Sequence, residues 1–319
     1  MTRPMPSPDR PLRIGTRGSP LALAQAHETR ARLMAAHDLP EAAFAIVVIK
    51  VQGDDQHMIA ADRPLKEIGN KGLFTREIEE ALLDGAIDIA VHSMKDMPTD
   101  QPPGLVLDCN LPREDVRDAF VSPVAAGMEA LAPGSVVGTS SLRRRAQLLH
   151  RRPDLTVVEF RGNVQTRLRK LSDGAAHCTF LAMAGLNRLG MAHVARGPVA
   201  PEAMLPAIAQ GAIGIERRSD DTATAALLEP IHDRDTGLRL AAERAMLARL
   251  DGSCETPIAG LALLDGDTLW LRGEILRPDG SDCLAEEGRA PVADAATLGR
   301  EVAERLLARA PDDFFAWRD

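Results

Sequence analysis

Tyrosine is absent from the 319 residues, and Trp and Phe together leave aromatics at 3% of the chain. Phenol acid/base chemistry is therefore excluded, and few rings remain for stacking nucleic-acid bases. Cysteine is scarce. Cys109, Cys178, Cys254 and Cys283 lie far apart with no C-x-x-C pair, which indicates neither a zinc site nor a disulfide framework, and no metal is expected. No apolar run approaches the ~20 residues that a membrane span needs. Walker and G-x-G-x-x-G motifs are missing, since Gly69-Asn70-Lys71-Gly72 lacks the spacing, and no repeat recurs at a fixed period. Met1 to Arg10 holds three prolines and no apolar segment of the signal-peptide kind. A disordered tail over 1–11 and a cytoplasmic location are the expectations.

The net charge of −8 is unevenly spread. Residues 143–170 carry eight Arg and one Lys against Asp154 and Glu159, a net of +7, which leaves −15 for the remainder. A basic island in an acidic, ring-poor protein fits a small anionic ligand better than RNA or a duplex.

Five apolar runs end in Gly/Ser/Thr-bearing turns with a basic residue in or just after the turn. They end at Gly15-Thr16-Arg17-Gly18-Ser19, His92-Ser93-Met94-Lys95-Asp96, Gly138-Thr139-Ser140-Ser141-Leu142-Arg143-Arg144, Phe160-Arg161-Gly162-Asn163 and Ala184-Gly185-Leu186-Asn187-Arg188. In open α/β sheets ligands gather outside the carboxyl ends of strands, where helix N-termini add free N–H groups. Five such ends describe a site for a ligand with several negative groups. Arg143, Arg144, Arg161, Arg167 and Arg188 are the candidate carboxylate partners, because guanidinium forks pair carboxylates bidentately. Asp96 is the exception at these ends. An ionised carboxylate there suits holding an N–H group and stabilising a developing cation. Cys254, in Asp251-Gly252-Ser253-Cys254-Glu255-Thr256-Pro257, sits in a Gly/Pro-bounded loop that favours an accessible thiol. These residues alone remain compatible with a non-catalytic binder of a small polyanion.

Ser19-Pro20 reads as a helix start, with a helix from Leu21 to about His37 and apolar positions at Leu23, Ala26, Leu33 and Met34. Strands are expected at Phe44–Val51 and Ile87–Val91, with a helix over Leu73–Leu83 between them. This gives an α/β unit with a largely parallel sheet. A second βαβα series runs from about Ser135 to Leu189, and residues 201–214 read as a return crossing. Gly237 to Leu250 and Ala295 to Arg309 are expected helices. Between them, Leu261–Leu264, Thr268–Arg272 and Glu274–Leu276 are expected strands with Asp-Gly turns.

The ordered motifs Thr16-Arg17-Gly18-Ser19-Pro20-Leu21-Ala22, Lys71-Gly72-Leu73-Phe74, Val91-His92-Ser93-Met94-Lys95-Asp96, Gly138-Thr139-Ser140-Ser141-Leu142-Arg143-Arg144, Arg161-Gly162-Asn163-Val164, Gln210-Gly211-Ala212 and the Cys254 loop carry a resemblance. From Leu12 to about Leu307 the chain resembles the hydroxymethylbilane synthases, also called porphobilinogen deaminases. The resemblance implies a transferase of tetrapyrrole biosynthesis. It joins four porphobilinogen molecules head to tail, with loss of ammonia, on a dipyrromethane cofactor thioether-linked to Cys254. It implies Asp96 as the catalytic group. Arg17, Ser19, Ser93, Lys95, Thr139, Ser141, Arg143, Arg144, Arg161, Gly162, Arg167 and Arg188 are implied to bind cofactor or substrate, with Lys71 and Phe74 on a flap. The implied fold is α/β: two lobes like periplasmic binding proteins with a cleft between them, plus a small α+β C-terminal domain. The corresponding boundaries are 12–111 with 212–230, 112–211, and 231–319. A monomer that binds neither nucleic acid nor membrane is expected. Ser253, Asn70 and Ala176-His177-Cys178-Thr179 depart from the usual family residues.

Overall fold

Strand β1 (Leu12–Arg17) buries Leu12 and Ile14 completely and feeds helix α1 (Pro20–His37). A computed structural model describes residues 5–51, 75–252 and 256–318. Ser19 caps α1 as the Ser-Pro pair predicts, with its Oγ accepting from the Ala22 N–H at 3.3 Å. The buried stripe of α1 differs from the expected one. It runs through Ala22, Gln25, Ala26, Thr29 and Leu33, so two polar residues face inward where Leu23 was expected.

The first sheet continues with β2 (Phe44–Ile49), β3 (Ile89–Ser93), β4 (Leu105–Asn110) and β10 (Ile213–Arg218), in the order β2-β1-β3-β10-β4. Helix α2 (Arg76–Leu83) precedes β3 and buries Ile78 and Leu82. The strand expected from Ile87 starts two residues later. Asp88 is held by Arg13 instead, accepting from its backbone N–H at 2.8 Å and from Nη2 at 2.9 Å. The largely parallel sheet is corrected to a mixed one. β1 pairs in parallel with β2 and β3, but β10 runs antiparallel between β3 and β4. The stretch read only as a return crossing thus delivers a central strand whose Ile213 and Ile215 are fully buried.

The second sheet repeats the plan. β5 (Asp118–Val121), β6 (Val136–Gly138), β7 (Thr156–Val158), β8 (Cys178–Ala182) and β9 (Gly197–Pro198) take the order β7-β6-β8-β5-β9. β6 is parallel to β7 and β8, whereas β5 is antiparallel to β8 and β9. Helices α3 (Leu142–Arg151), α4 (Val164–Ser172) and α5 (Met183–Arg188) follow β6, β7 and β8. The Ala176–Thr179 departure packs into this sheet. Cys178 is fully buried, and His177 Nδ1 accepts from the Val136 N–H at 2.8 Å.

Helix α6 (Thr222–Leu228) follows β10, and α7 (Arg234–Arg249) leads to the antiparallel sheet β11 (Ile258–Asp265), β12 (Thr268–Leu276) and β13 (Cys283–Pro291). The two strands expected over 268–276 are one. Gly273 keeps its pairing with Gly260 and Glu286, so the ladder runs through it. Helix α8 (Ala295–Arg309) matches expectation and buries Leu298, Val302 and Leu306. The contact pattern divides the chain into two units. The described residues 5–51, 75–114 and 212–237 form one, and 115–211 with 238–318 (253–255 excepted) form the other. In the second unit, Ala259 and Leu261 of β11 pack on Leu205 and Val116.

Candidate active site

In the first unit, the carboxyl ends of β1 and β3 open on a cavity of ≈ 70 Å³. Arg17 and Ser19 line it from the β1–α1 turn, Gln25 from α1, and His92, Ser93 and Asp96 from β3 and the turn after it. Parallel pairing of β1 with β3 brings these ends side by side. Ser93 and Gln25 are hydrogen-bonded to each other, with Gln25 Nε2 donating to Ser93 Oγ at 2.8 Å. His92 forms part of the wall, and its Nε2 lies 3.1 Å from Glu216 Oε2 on β10, with both side chains buried. Lys95 is half-buried in the same turn but is not among the lining residues. Gln25, His92 and Glu216 are site neighbours that sequence reasoning missed. Gln25 left one signal, a polar residue on the 3.6-residue stripe of an Ala-rich helix.

In the second unit, the parallel strands β6, β7 and β8 present their carboxyl ends along one sheet edge. Thr139 is buried after β6, and its Oγ1 accepts from the Ser141 N–H at 3.2 Å. Ser141 caps α3, accepting from the Arg144 N–H at 3.4 Å. Arg161 is buried after β7. Gly162 follows it at φ +118°, a region closed to L side chains, and a Cβ there would lie 2.6 Å from Thr166 Cγ2. Arg167 stands on α4 and Arg188 at the end of α5, where Nη1 donates to the Gly211 carbonyl at 3.2 Å.

Arg143 and Arg144 converge on one carboxylate. Asp118, fully buried on β5, accepts from Arg143 Nη2 at 2.7 Å and from Arg144 Nη2 at 2.7 Å. Leu205 and Phe180 carbonyls take one further N–H from Arg143 and Arg144, respectively. Burial pushes the Asp118 carboxyl up, but the two guanidiniums outweigh it and hold it well below the usual carboxylate range. Two cations against one carboxylate leave the cluster net positive. The Arg143 Nε is buried with no hydrogen-bond partner among the described residues. An orphaned buried donor in a net-positive cluster suits an anionic ligand. Asp118 was missed because an Asp within an apolar strand run carries no pattern that separates it from a cap or a turn.

Lys71, Phe74 and Cys254 lie outside the described residues. Among the described residues no group of His, Cys, Asp and Glu is arranged to hold a metal ion, and no helix is long and apolar enough to cross a membrane.

Two family models match the chain. The model described as "Porphobilinogen deaminase, dipyromethane cofactor binding domain" matches residues 12–226, and "Porphobilinogen deaminase, C-terminal domain" matches 238–308. The chain belongs to the porphobilinogen deaminase family. A porphobilinogen deaminase of Paracoccus denitrificans is 70% identical over 98% of this chain and 99% of its own length. The chloroplastic porphobilinogen deaminase of Pisum sativum is 54% identical over 95% of this chain and 83% of its own. Among solved structures, the methionine binding protein MetQ aligns with 75% of this chain and 96% of its own at 14% identity and a TM-score of 0.44. The architecture of this deaminase-family chain therefore rests on its own sheet topology.

Proposed function

We propose that this protein deaminates porphobilinogen and joins four molecules head to tail into hydroxymethylbilane, with Asp96 as the catalytic carboxylate and Cys254 as the anchor of a dipyrromethane primer. The single observation that carries the reading is the family match over both segments, 12–226 and 238–308. The geometry supports it. Each pyrrole carries an acetate and a propionate, so a two-ring primer alone brings four carboxylates. The second unit offers Arg161 after β7, Arg167 on α4 and Arg188 at the end of α5, together with the net-positive Asp118 cluster and its orphaned Arg143 Nε. These residues fit a polycarboxylate. When bound, the dipyrromethane supplies the free α-carbon to which the first monomer is joined.

The aminomethyl group of porphobilinogen is an alkyl amine with a pKa near that of Lys, about 10.4. It is already an ammonium at neutral pH and leaves with little acid assistance. Loss of ammonia puts positive charge on the substrate's pyrrole ring. Asp96 accepts the pyrrole N–H hydrogen bond, stabilises that cation, and takes up the α-proton released after coupling. Arg17 and Ser19, lining the same cavity, hold the substrate's carboxylates there. Ser93, Lys95, Thr139, Ser141, Arg143, Arg144 and Gly162 complete the binding groups, and Lys71 and Phe74 belong to a flap.

We assign the three domains the spans 12–111 with 212–230, 112–211 and 231–319, and the protein a monomeric, cytoplasmic life without nucleic-acid or membrane partners. Free thiols at Cys109, Cys178 and Cys283 suit a reducing compartment. Intact mass of the purified protein tests the reading. A covalent two-pyrrole adduct, lost in Cys254→Ser, is the expected result. An unmodified chain from active enzyme would overturn it.

A further inference from the structure

We propose that Glu243 and Gln210 are positioning residues that set the register between the segments flanking the Cys254 loop and the Arg143/Arg144 pair. The inference rests on the reading of those arginines as carboxylate-binding groups given above.

Glu243 lies midway along α7 and is fully buried. Its carboxylate is taken up by backbone: Oε1 accepts from the Ala262 N–H at 2.8 Å and Oε2 from the Ala209 N–H at 2.7 Å. Ala262 belongs to β11, so the first bond ties together the two elements between which the Cys254 loop runs. The second bond reaches a different part of the chain, the crossing that returns to β10. There Ala209 stands at φ +60°, a left-handed backbone that costs a residue with a Cβ and persists only where its surroundings enforce it. A charge-assisted hydrogen bond to its N–H supplies that enforcement.

The next residue carries the consequence. Gln210 Nε2 donates to Asp118 Oδ1 at 3.0 Å and to the Val116 carbonyl at 2.8 Å. Asp118 in turn holds both arginines, at 2.7 Å each. A continuous polar chain therefore runs from Ala262 through Glu243, the Ala209 turn, Gln210 and Asp118 to Arg143 and Arg144. Every member is at most 5% exposed. In so dry a path a hydrogen bond left unmade is costly, so the links hold one arrangement. A carboxylate that merely stapled α7 to β11 would have no reason to capture the N–H of a left-handed alanine preceding the glutamine that reaches Asp118.

The test uses the holoenzyme. Glu243→Gln places an amide N–H₂ against one of the two donors and removes the charge. Loss of a charge-assisted hydrogen bond predicts a KM for porphobilinogen raised about fivefold, with kcat within about twofold and dipyrrole loading by intact mass unchanged. Adding Ala209→Gly should bring KM back to within about twofold of the parent, because glycine adopts the left-handed turn without the clamp. Gln210→Met removes the amide that donates to Asp118 and to the Val116 carbonyl, leaves the α7–β11 staple intact, and should raise KM by a similar factor. An unchanged KM in Glu243→Gln or Gln210→Met, or a Glu243→Gln defect that Ala209→Gly does not relieve, would overturn the proposal. A parent protein without any dipyrrole adduct would instead overturn the functional reading on which it stands.

Discussion

Arg144 embraces Asp118 with two donors, Nη2 at 2.7 Å and Nε at 3.2 Å from the same Oδ1. Arg143 takes the other oxygen at 2.7 Å. Carboxylate and both guanidiniums are out of water, so removing the charge at Asp118 strands two buried cations. Asp118→Asn should destabilise the protein by roughly 3 kcal/mol at pH 7. The folded-state carboxyl lies below its ordinary value, so its stabilisation is full above the unfolded pKa of about 3.9 and fades as pH falls toward the folded value. The stability gap between parent and Asp118→Asn should therefore narrow below about pH 4. Urea midpoints at pH 7 and pH 3 check both statements.

Asp96 shares its cavity with Arg17, Ser93 and His92. Asp96→Ala should lower the elongation rate by about 10²–10³-fold, the usual scale for losing one group aimed at developing charge. Cys254 should remain able to take the dipyrrole. Single-turnover kinetics with intact mass separates the two effects, and normal turnover by the variant would remove Asp96 from its role.

Burial pushes the Cys109 and Cys178 thiols up to about 12 and that of Cys283 to about 11. Thiolate is the reactive form, so at pH 8 these three should resist alkylation. Iodoacetamide on cofactor-free protein should mark Cys254 first, and the loaded enzyme should show no fast-reacting thiol. Peptide mapping after brief alkylation reads this out.

Gly162→Ala forces a side chain into φ +118° and against Thr166. A loss of about 1–3 kcal/mol is expected from the strained backbone. Because Arg161 precedes it, porphobilinogen binding should weaken as well. Thermal midpoint and KM, measured together, test the pair of effects.

Much of the frame was readable from short-range pattern. The Ser-Pro start of α1, the Ala-rich helix α8 and the β6–α3 turn all depend on caps and periodicities that span a few residues, and they appear where expected. The Gly/Ser/Thr-Arg turns likewise pointed to strand ends, because a tight turn into a helix N-terminus requires those residue types locally. β13 was not readable. Its run Cys-Leu-Ala-Glu-Glu-Gly-Arg-Ala-Pro is poor in the β-branched and aromatic residues that mark strands, and it becomes a strand by pairing with β12 along its length.

The sequence by itself determined that this chain folds as α/β units followed by a smaller α+β part, and that cations crowd its strand ends. Those properties follow from local backbone preference and from counting charges. Only the tertiary structure decided which cations meet which carboxylates. Asp118 lies 25 residues from Arg143, and Glu243 lies 34 from Ala209. No periodicity links such positions. They meet because the sheet order β7-β6-β8-β5-β9 and the packing of α7 within the same unit bring distant segments together, and burial then leaves each charge only the partner the fold places beside it.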